Sequence, residues 1–509
     1  MSQNNFYITT PIYYPSGEPH MGHAYSSILA DVFARFKRND NFNVHFLTGT
    51  DEHGLKIQTA AKKNGLDPLK YCDKISKIFE NLTTKLNLSN DDFIRTTEKR
   101  HYESVTDLWN RLVASGDIYL SKYKGWYSVS DEAYYNQDEI IDKDGKKFST
   151  FSGSQVEWVE EESFFFKLSA WQEKLLEFYD SNNKFILPTS RRNEVINFVK
   201  SGLKDLSVSR TSFTWGIKVP KNEKHIIYVW LDALTNYLSA LKFPNINDEL
   251  YKSFWPASLH VIGKDILRFH AIYWPAFLLA ANIKPPSRVF GHGWILSGEE
   301  KMSKSKGNIL DPLEIIKKYG IDELRYYLMK EVSHGSDGNI SLESLEKCIN
   351  SDLANNYGNL CQRIFSFVKN NCKNKVVKTK NISIADKKLI EQTNSLTKDL
   401  RNFMDDQNLN NYIKSVINIS FLTNKYINDE EPWKLKENKE KMNNILHLSL
   451  VQIAKISILL NPIIPQATLK VLKSLKINPK SINLSFLDGK DLLPNEIAIL
   501  DLNILFKKS

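Results

Sequence analysis

Phe6-Tyr7-Ile8-Thr9-Thr10-Pro11-Ile12-Tyr13-Tyr14-Pro15-Ser16-Gly17-Glu18-Pro19-His20-Met21-Gly22-His23 decides the fold. Its first five residues are β-branched or aromatic and read as a buried strand that Pro11 stops. Pro15, Ser16, Gly17 and Pro19 then make a turn. From His23 onward Tyr25, Ile28, Leu29, Val32, Phe33 and Phe36 recur at three- and four-residue steps, the spacing of an amphipathic helix. Strand, glycine-containing turn and helix in that order aim backbone N–H groups and a positive helix end at phosphate. The pattern places His20 and His23 in the first helical turn, rings on one side, able to donate to phosphate oxygens as charge builds in a transition state. Gly22 between them leaves room for a nucleotide.

Working outward, Asn43-Val44-His45-Phe46-Leu47 repeats the strand pattern and runs into Thr48-Gly49-Thr50-Asp51-Glu52-His53-Gly54. Asp51 therefore follows the carboxyl end of a strand, where ligands bind in doubly wound sheets. A carboxylate there holds an ammonium group or caps the next helix. Farther on, His260-Val261-Ile262 leads through Gly263-Lys264-Asp265 into a helical stretch with Phe269, His270, Tyr273 and Trp274. With Trp230 and Tyr237 these rings form a dense group near strand ends. Such a group cages a flexible side chain with a polarisable sulfur, or it is ordinary core packing. Periodicity leaves both open. The alternation of strands and helices predicts an α/β catalytic domain built on a doubly wound parallel sheet.

Lys301-Met302-Ser303-Lys304-Ser305 stands about 280 residues beyond His20, in a Gly- and Lys-rich stretch, 298–308, that reads as a mobile loop. In this order, the His20–His23 and lysine motifs resemble the paired ATP-handling motifs of class I aminoacyl-tRNA synthetases. The chain is similar to the methionyl branch over essentially its full length, through residues 11–23, 48–54, 228–237, 262–274, 291–293 and 301–308. The resemblance implies a split Rossmann fold and a ligase that activates L-methionine with ATP, releasing pyrophosphate, and then transfers methionine to the 3′ end of tRNA(Met) for initiation and elongation. It implies a methionine pocket of Ile12, Tyr14, Asp51, Trp230, Leu234, Tyr237, Phe269, His270 and Trp274, with Asp51 on the amino group. Leu234 stands where many relatives have proline. It places Gly263, Asp265, His292 and Gly293 near ATP. His20, Gly22, His23, Lys301 and Lys304 become the catalytic set, with Lys304 foremost on the leaving pyrophosphate. Mg²⁺ is expected with ATP, shared among phosphate oxygens.

Between the halves, residues 116–224 form an aromatic-rich connective insertion. Many relatives carry zinc knuckles here, but this chain has no cysteine between Cys72 and Cys348, so no structural zinc is expected. Arg191, Arg192, Asn193 and Glu194 follow Pro188, where they contact tRNA or simply start a helix. The domain scheme is 1–115 and 225–292 for the catalytic halves, 116–224 for the insertion, 293–345 for the lysine loop and stem-contact region, and 346–509 for a helical anticodon-binding domain.

The net charge of +9 resides entirely in that last segment, which suits a polyanion such as RNA or merely keeps a helical domain soluble. Asn355, Asn359 and Arg363 recur every four residues on one helix face. Glu431-Pro432-Trp433-Lys434 opens a further helix, with Trp433 able to stack on a base. By resemblance these four residues read the anticodon. The N-terminus lacks a signal-peptide pattern and no apolar stretch approaches the roughly 20 residues that span a bilayer. A cytoplasmic monomer is expected.

Overall fold

Strands Asn5–Tyr13 (β1), Asn43–Thr50 (β2), Asp92–Arg95 (β3), Ile186–Leu187 (β4), Leu259–Gly263 (β5) and Val289–His292 (β6) form one sheet in the order β3-β2-β1-β5-β6-β4. This is a computed structural model, describing residues 4–15, 17–131, 133–297, 300–301, 310–332, 335–379 and 381–508. The ladders are parallel: Ile8 faces Leu259, Thr50 faces Arg95, Gly263 faces His292 and Val289 faces Ile186. β5 is buried at every position and β1 through most of its length. Parallel strands covered on both faces read as continuous apolar runs, which is why the sequence showed them clearly.

Pro11 does not stop β1. The strand continues to Tyr13, whose carbonyl accepts from Asp51 N at 2.9 Å; the β5 ladder uses Ile8 and Thr9, below Pro11. A proline is tolerated where its missing N–H is not needed. After β1 the chain first builds toward β2 and β3, and later returns on the other side as β5 and β6. Strand order therefore reverses between β1 and β5, and the crevice beyond their carboxyl ends is the ligand position of such sheets.

Two compact units emerge, Asn5–Pro19 with His45–His292, and His20–Val44 with Gly293–Ser509. In the sheet unit, the stretch read as an insertion contains a long antiparallel hairpin, Ile118–Ser128 against Glu157–Phe166. Its inner rings reach the main core, Phe166 lying edge-on to Phe277 at 4.9 Å. The two-residue β4, too short for any pattern to show, joins the edge of the main sheet. Helices Lys99–Ala114 and Val229–Leu234 also belong to this unit.

In the other unit, helix Met21–Asn39 (α1) is held at its middle and its end. Asp31 Oδ2 meets Arg325 Nη2 at 2.6 Å with both side chains fully buried, and Arg325 lies on helix Ile321–Glu331 (α2). Lys37 pairs with Asp405, and Arg401 bridges Asp40 and Asp488. The helical reading beyond residue 340 agrees with helices Asn359–Cys372 (α3), Leu409–Glu430 (α4), Lys439–Leu460 (α5) and Pro465–Ser474 (α6). Against expectation, α5 is long and apolar enough to cross a membrane, but 78% of its most apolar window is buried in the bundle. A helix apolar on all sides is a core helix when neighbours surround it.

Candidate active site and RNA-binding face

The sheet unit gathers the nine residues expected around methionine. Ile12 near the end of β1 and Tyr14 just beyond it pack on the core of this unit together with Trp230 and Phe269. Tyr14 donates its hydroxyl to the His53 carbonyl at 2.6 Å. Asp51 follows β2 and is buried. Trp230 and Phe269 stack at 3.8 Å, nearly parallel at 7°, while Leu234, Tyr237, His270 and Trp274 lie buried behind them. The expected helix at 269 is a π-helical turn, Phe269–Tyr273, running into helix Trp274–Ala280. Its wider turn sets Phe269 and His270 differently from a regular helix, and such turns are frequent at functional sites. The indole nitrogens of Trp230 and Trp274 are buried without a hydrogen-bond partner among the described residues. Buried indole N–H groups usually find a partner.

His270 has a determined role. Its Nδ1 lies 3.0 Å from the Ile266 carbonyl, which can only accept, so Nδ1 carries the proton. Its Nε2 then accepts the Tyr237 hydroxyl at 2.7 Å. Burial lowers the pKa of His270 to about 4, despite a carbonyl partner and Asp265 acting the other way. The ring stays neutral and holds Tyr237 in place.

Two strand ends supply the expected nucleotide residues of this unit. Gly263 and His292 face each other in register. A Cβ on Gly263 would fall 2.5 Å from Asp265 Oδ1; glycine lets that carboxylate fold back over the strand end. Gly293, which belongs to the other unit, packs so closely that a Cβ would meet the Ser336 carbonyl oxygen at 2.1 Å.

His20 is the N-cap of α1, one residue outside the first turn where the sequence placed it, and His23 is N3. Gly22 N donates to His20 Nδ1 and His20 N donates to His23 Nδ1, each at 3.1 Å. This is a capping box built from two imidazoles. Because both Nδ1 atoms accept, both neutral rings carry their proton on Nε2, as donors. The rings stack at 3.8 Å. Burial, then the His20 ring, holds the pKa of His23 well below the usual histidine value, so it donates as a neutral group. A Cβ on Gly22 would lie 3.0 Å from the His20 ring. The glycine thus makes room for the cap itself. Lys304 lies outside the described residues, as does the side chain of Lys301, whose backbone pairs Leu296.

On the helical unit, Asn355 and Asn359 are exposed on one face, with Arg363 partly exposed below them. Asn355 sits in a π-helical stretch, Ile349–Gly358, that precedes α3; with more than four residues per turn it keeps residues four apart on one face. Trp433 does not open a long helix: Pro432–Lys434 is one 3₁₀ turn, entered through Glu431 at φ 44°. That left-handed residue ends α4 and turns Trp433, 39% exposed, to within 5.6 Å of the Arg363 guanidinium. Together with Ile364, Phe367, Ile427 and Pro432 they line a cleft of about 340 Å³. Phe367 and Ile427 carried no sequence signal beyond core periodicity. Arg191 lies in the first turn of helix Thr189–Lys200 and pairs with Glu194 at 2.9 Å. Among the described residues no group of three or more His, Cys, Asp or Glu side chains could hold a metal ion.

The sequence also missed a buried network beside the cage. Asp232, between Trp230 and Leu234, meets His53 Nδ1 at 2.7 Å and His101 Nε2 at 2.6 Å. Burial alone would raise its pKa, but attraction to His53 and the bonds from both rings hold it at about 2.

Comparison with known proteins gives the family. The family profile described as tRNA synthetases class I (M) matches residues 6–146 and 143–365, and that of the anticodon binding domain of methionyl tRNA ligase matches 376–508. A methionine–tRNA ligase of Rickettsia conorii is 48% identical over 509 residues, 99% of each chain. One of Brucella suis is 48% identical over 479 residues, covering 94% of this chain and 93% of that one. The Mycobacterium tuberculosis methionyl-tRNA synthetase in complex with methionyl-adenylate superposes with TM-score 0.96 at 41% identity, covering 99% of this chain and 100% of the other. The free state of that enzyme gives 0.89 at 39% identity, covering 100% and 98%. On these matches over nearly its whole length, the chain belongs to the methionyl-tRNA synthetases, class I ligases that join methionine to tRNA.

Proposed function

We propose that the residues named above perform the two steps of this ligase as follows. Asp51 takes the ammonium group of methionine at the carboxyl edge of the sheet. Trp230, Phe269, Trp274, Tyr237 and Leu234 surround the thioether, aided by Ile12, Tyr14 and His270. Aromatic rings suit a polarisable sulfur at an edge or face. ATP lies along Gly263, Asp265, His292 and Gly293, and Mg²⁺ comes with it as part of the substrate. The methionine carboxylate attacks the α-phosphorus, the bond to the β-phosphate bridging oxygen breaks, and pyrophosphate leaves. No general base is needed, because the nucleophile is already an anion. The Nε2–H donors of His20 and His23 stabilise the developing phosphate charge, while Lys301 and Lys304 neutralise pyrophosphate and release it. A terminal hydroxyl of tRNA then attacks the activated carbonyl and AMP departs.

Asn355, Asn359, Arg363 and Trp433 read unstacked anticodon bases by hydrogen bonding and stacking, the usual mode of sequence-specific RNA recognition. Both initiator and elongator tRNA(Met) present the same anticodon chemistry. The enzyme acts as a monomer in the cytoplasm, where its product enters translation.

The observation that carries the reading is the Trp230–Phe269 stack beside a neutral His270–Tyr237 pair, on the same sheet unit as Asp51. The test is exchange of pyrophosphate into ATP. Methionine supports it and leucine and cysteine do not; exchange with no amino acid overturns the reading. Lys304→Ala raises the barrier to adenylate formation by about 2–4 kcal/mol with methionine affinity unchanged.

A further inference from the structure

Asp232 is linked to three separate segments, each carrying a pocket residue. Its own helix, Val229–Leu234, holds Trp230 and Leu234. Its Oδ2 accepts from His53, two residues beyond Asp51, and the His53 carbonyl in turn accepts the Tyr14 hydroxyl. Its Oδ1 accepts from His101, whose Nδ1 lies 2.9 Å from Ser239 Oγ on the short helix Asn236–Ser239 that carries Tyr237. The three hydrogen-bonded side chains, Asp232, His53 and His101, are at most 2% exposed. Tyr102 completes the chain, its hydroxyl 3.1 Å from His53 Nε2. Since Asp232 is ionised and accepts only, His53 donates to it from Nδ1.

A buried carboxylate is a poor way to gain stability: well-packed apolar residues of similar volume usually serve as well or better. Directional bonds do what apolar packing cannot, fixing the distance and angle between segments to a fraction of an ångström. We propose that Asp232, tied to His53 and His101, is a positioning and specificity-determining residue: it sets the spacing between the ammonium-binding carboxylate of Asp51 and the ring cage, and so the length of side chain accepted. This inference rests on the methionine pocket proposed above.

The test uses the full-length enzyme in ATP–pyrophosphate exchange, normalised to active sites by adenylate burst. Asp232→Asn, which turns one acceptor into a donor facing a ring N–H, is expected to raise KM for methionine at least 20-fold. KM for ATP and kcat stay within about threefold, and the preference for methionine over ethionine, one methylene longer, falls at least tenfold. His101→Gln and His53→Asn, which keep an N–H at the bonding position, retain methionine KM within threefold; the corresponding alanine variants do not. Should Asp232→Asn fold poorly, the two alanine variants read out the same KM shift. A lowered Tm and active fraction with methionine KM and ethionine discrimination unchanged in all these variants overturns the proposal. Asp51→Asn separates the two levels. If it raises methionine KM while the Asp232, His53 and His101 variants do not, the positioning role fails and the pocket stands. If Asp51→Asn leaves methionine KM unchanged, the pocket reading fails and takes this inference with it.

Discussion

Asp31→Ala removes one partner of a fully buried ion pair from the helix that presents His20 and His23. Arg325 would keep its bonds to the carbonyls of Ile463 and Pro462, at 2.7 and 2.8 Å, but lose its bond to the Asp31 carboxylate at 2.6 Å. Burial already pushes the Arg325 pKa down, with Asp31 the leading group opposing it. Removing one partner of such a buried pair costs about 3–5 kcal/mol. For a unit of this size that lowers Tm by roughly 10 °C. Urea unfolding followed by far-UV circular dichroism gives the loss, and hydrogen exchange at the α1 amides assigns it to this unit rather than to the sheet. Replacing both partners, Asp31→Ala with Arg325→Met, removes the stranded charge and is expected to recover at least half of it. A loss under about 1 kcal/mol for Asp31→Ala, in the range of an exposed pair, refutes the reasoning. So does a double variant no more stable than the single one.

Two further outcomes follow from the site. Trp433→Ala leaves ATP–pyrophosphate exchange intact but weakens aminoacylation by about 1–3 kcal/mol, the value of one stacked base; equal loss in both steps refutes the anticodon assignment. His270 resists protonation down to about pH 4 in the folded state, whereas the unfolded chain binds that proton near pH 6.5. Stability from this site is therefore full above pH 6.5 and falls as pH drops toward 4, by about 3 kcal/mol in all. Urea midpoints of wild type and His270→Gln between pH 4 and 7 show it: the variant loses that part of the slope, and identical slopes would contradict it.

What the sequence determined by itself is whatever depends on near neighbours and short repeats. The apolar run Phe6–Thr10, the helix from His23 and the helical text beyond residue 340 are local patterns with one stable solution each. The paired histidine and lysine motifs pointed to ATP through their resemblance to a known family, and their residue types suit phosphate. The ring group around Trp230 was visible but ambiguous, since periodicity does not separate a cage from a core. Only the tertiary structure decided that the rings stack beside a neutral His270, where a π-helical turn places it. It alone turned His20 into an N-cap and thereby put both ring protons on Nε2. It joined Asp232 to His53 and His101, 179 and 131 residues away, and Asp31 to Arg325, 294 away. Partners that distant are chosen by how burial brings charges together, where an unpaired one is too costly to keep, and no window along the chain carries that information.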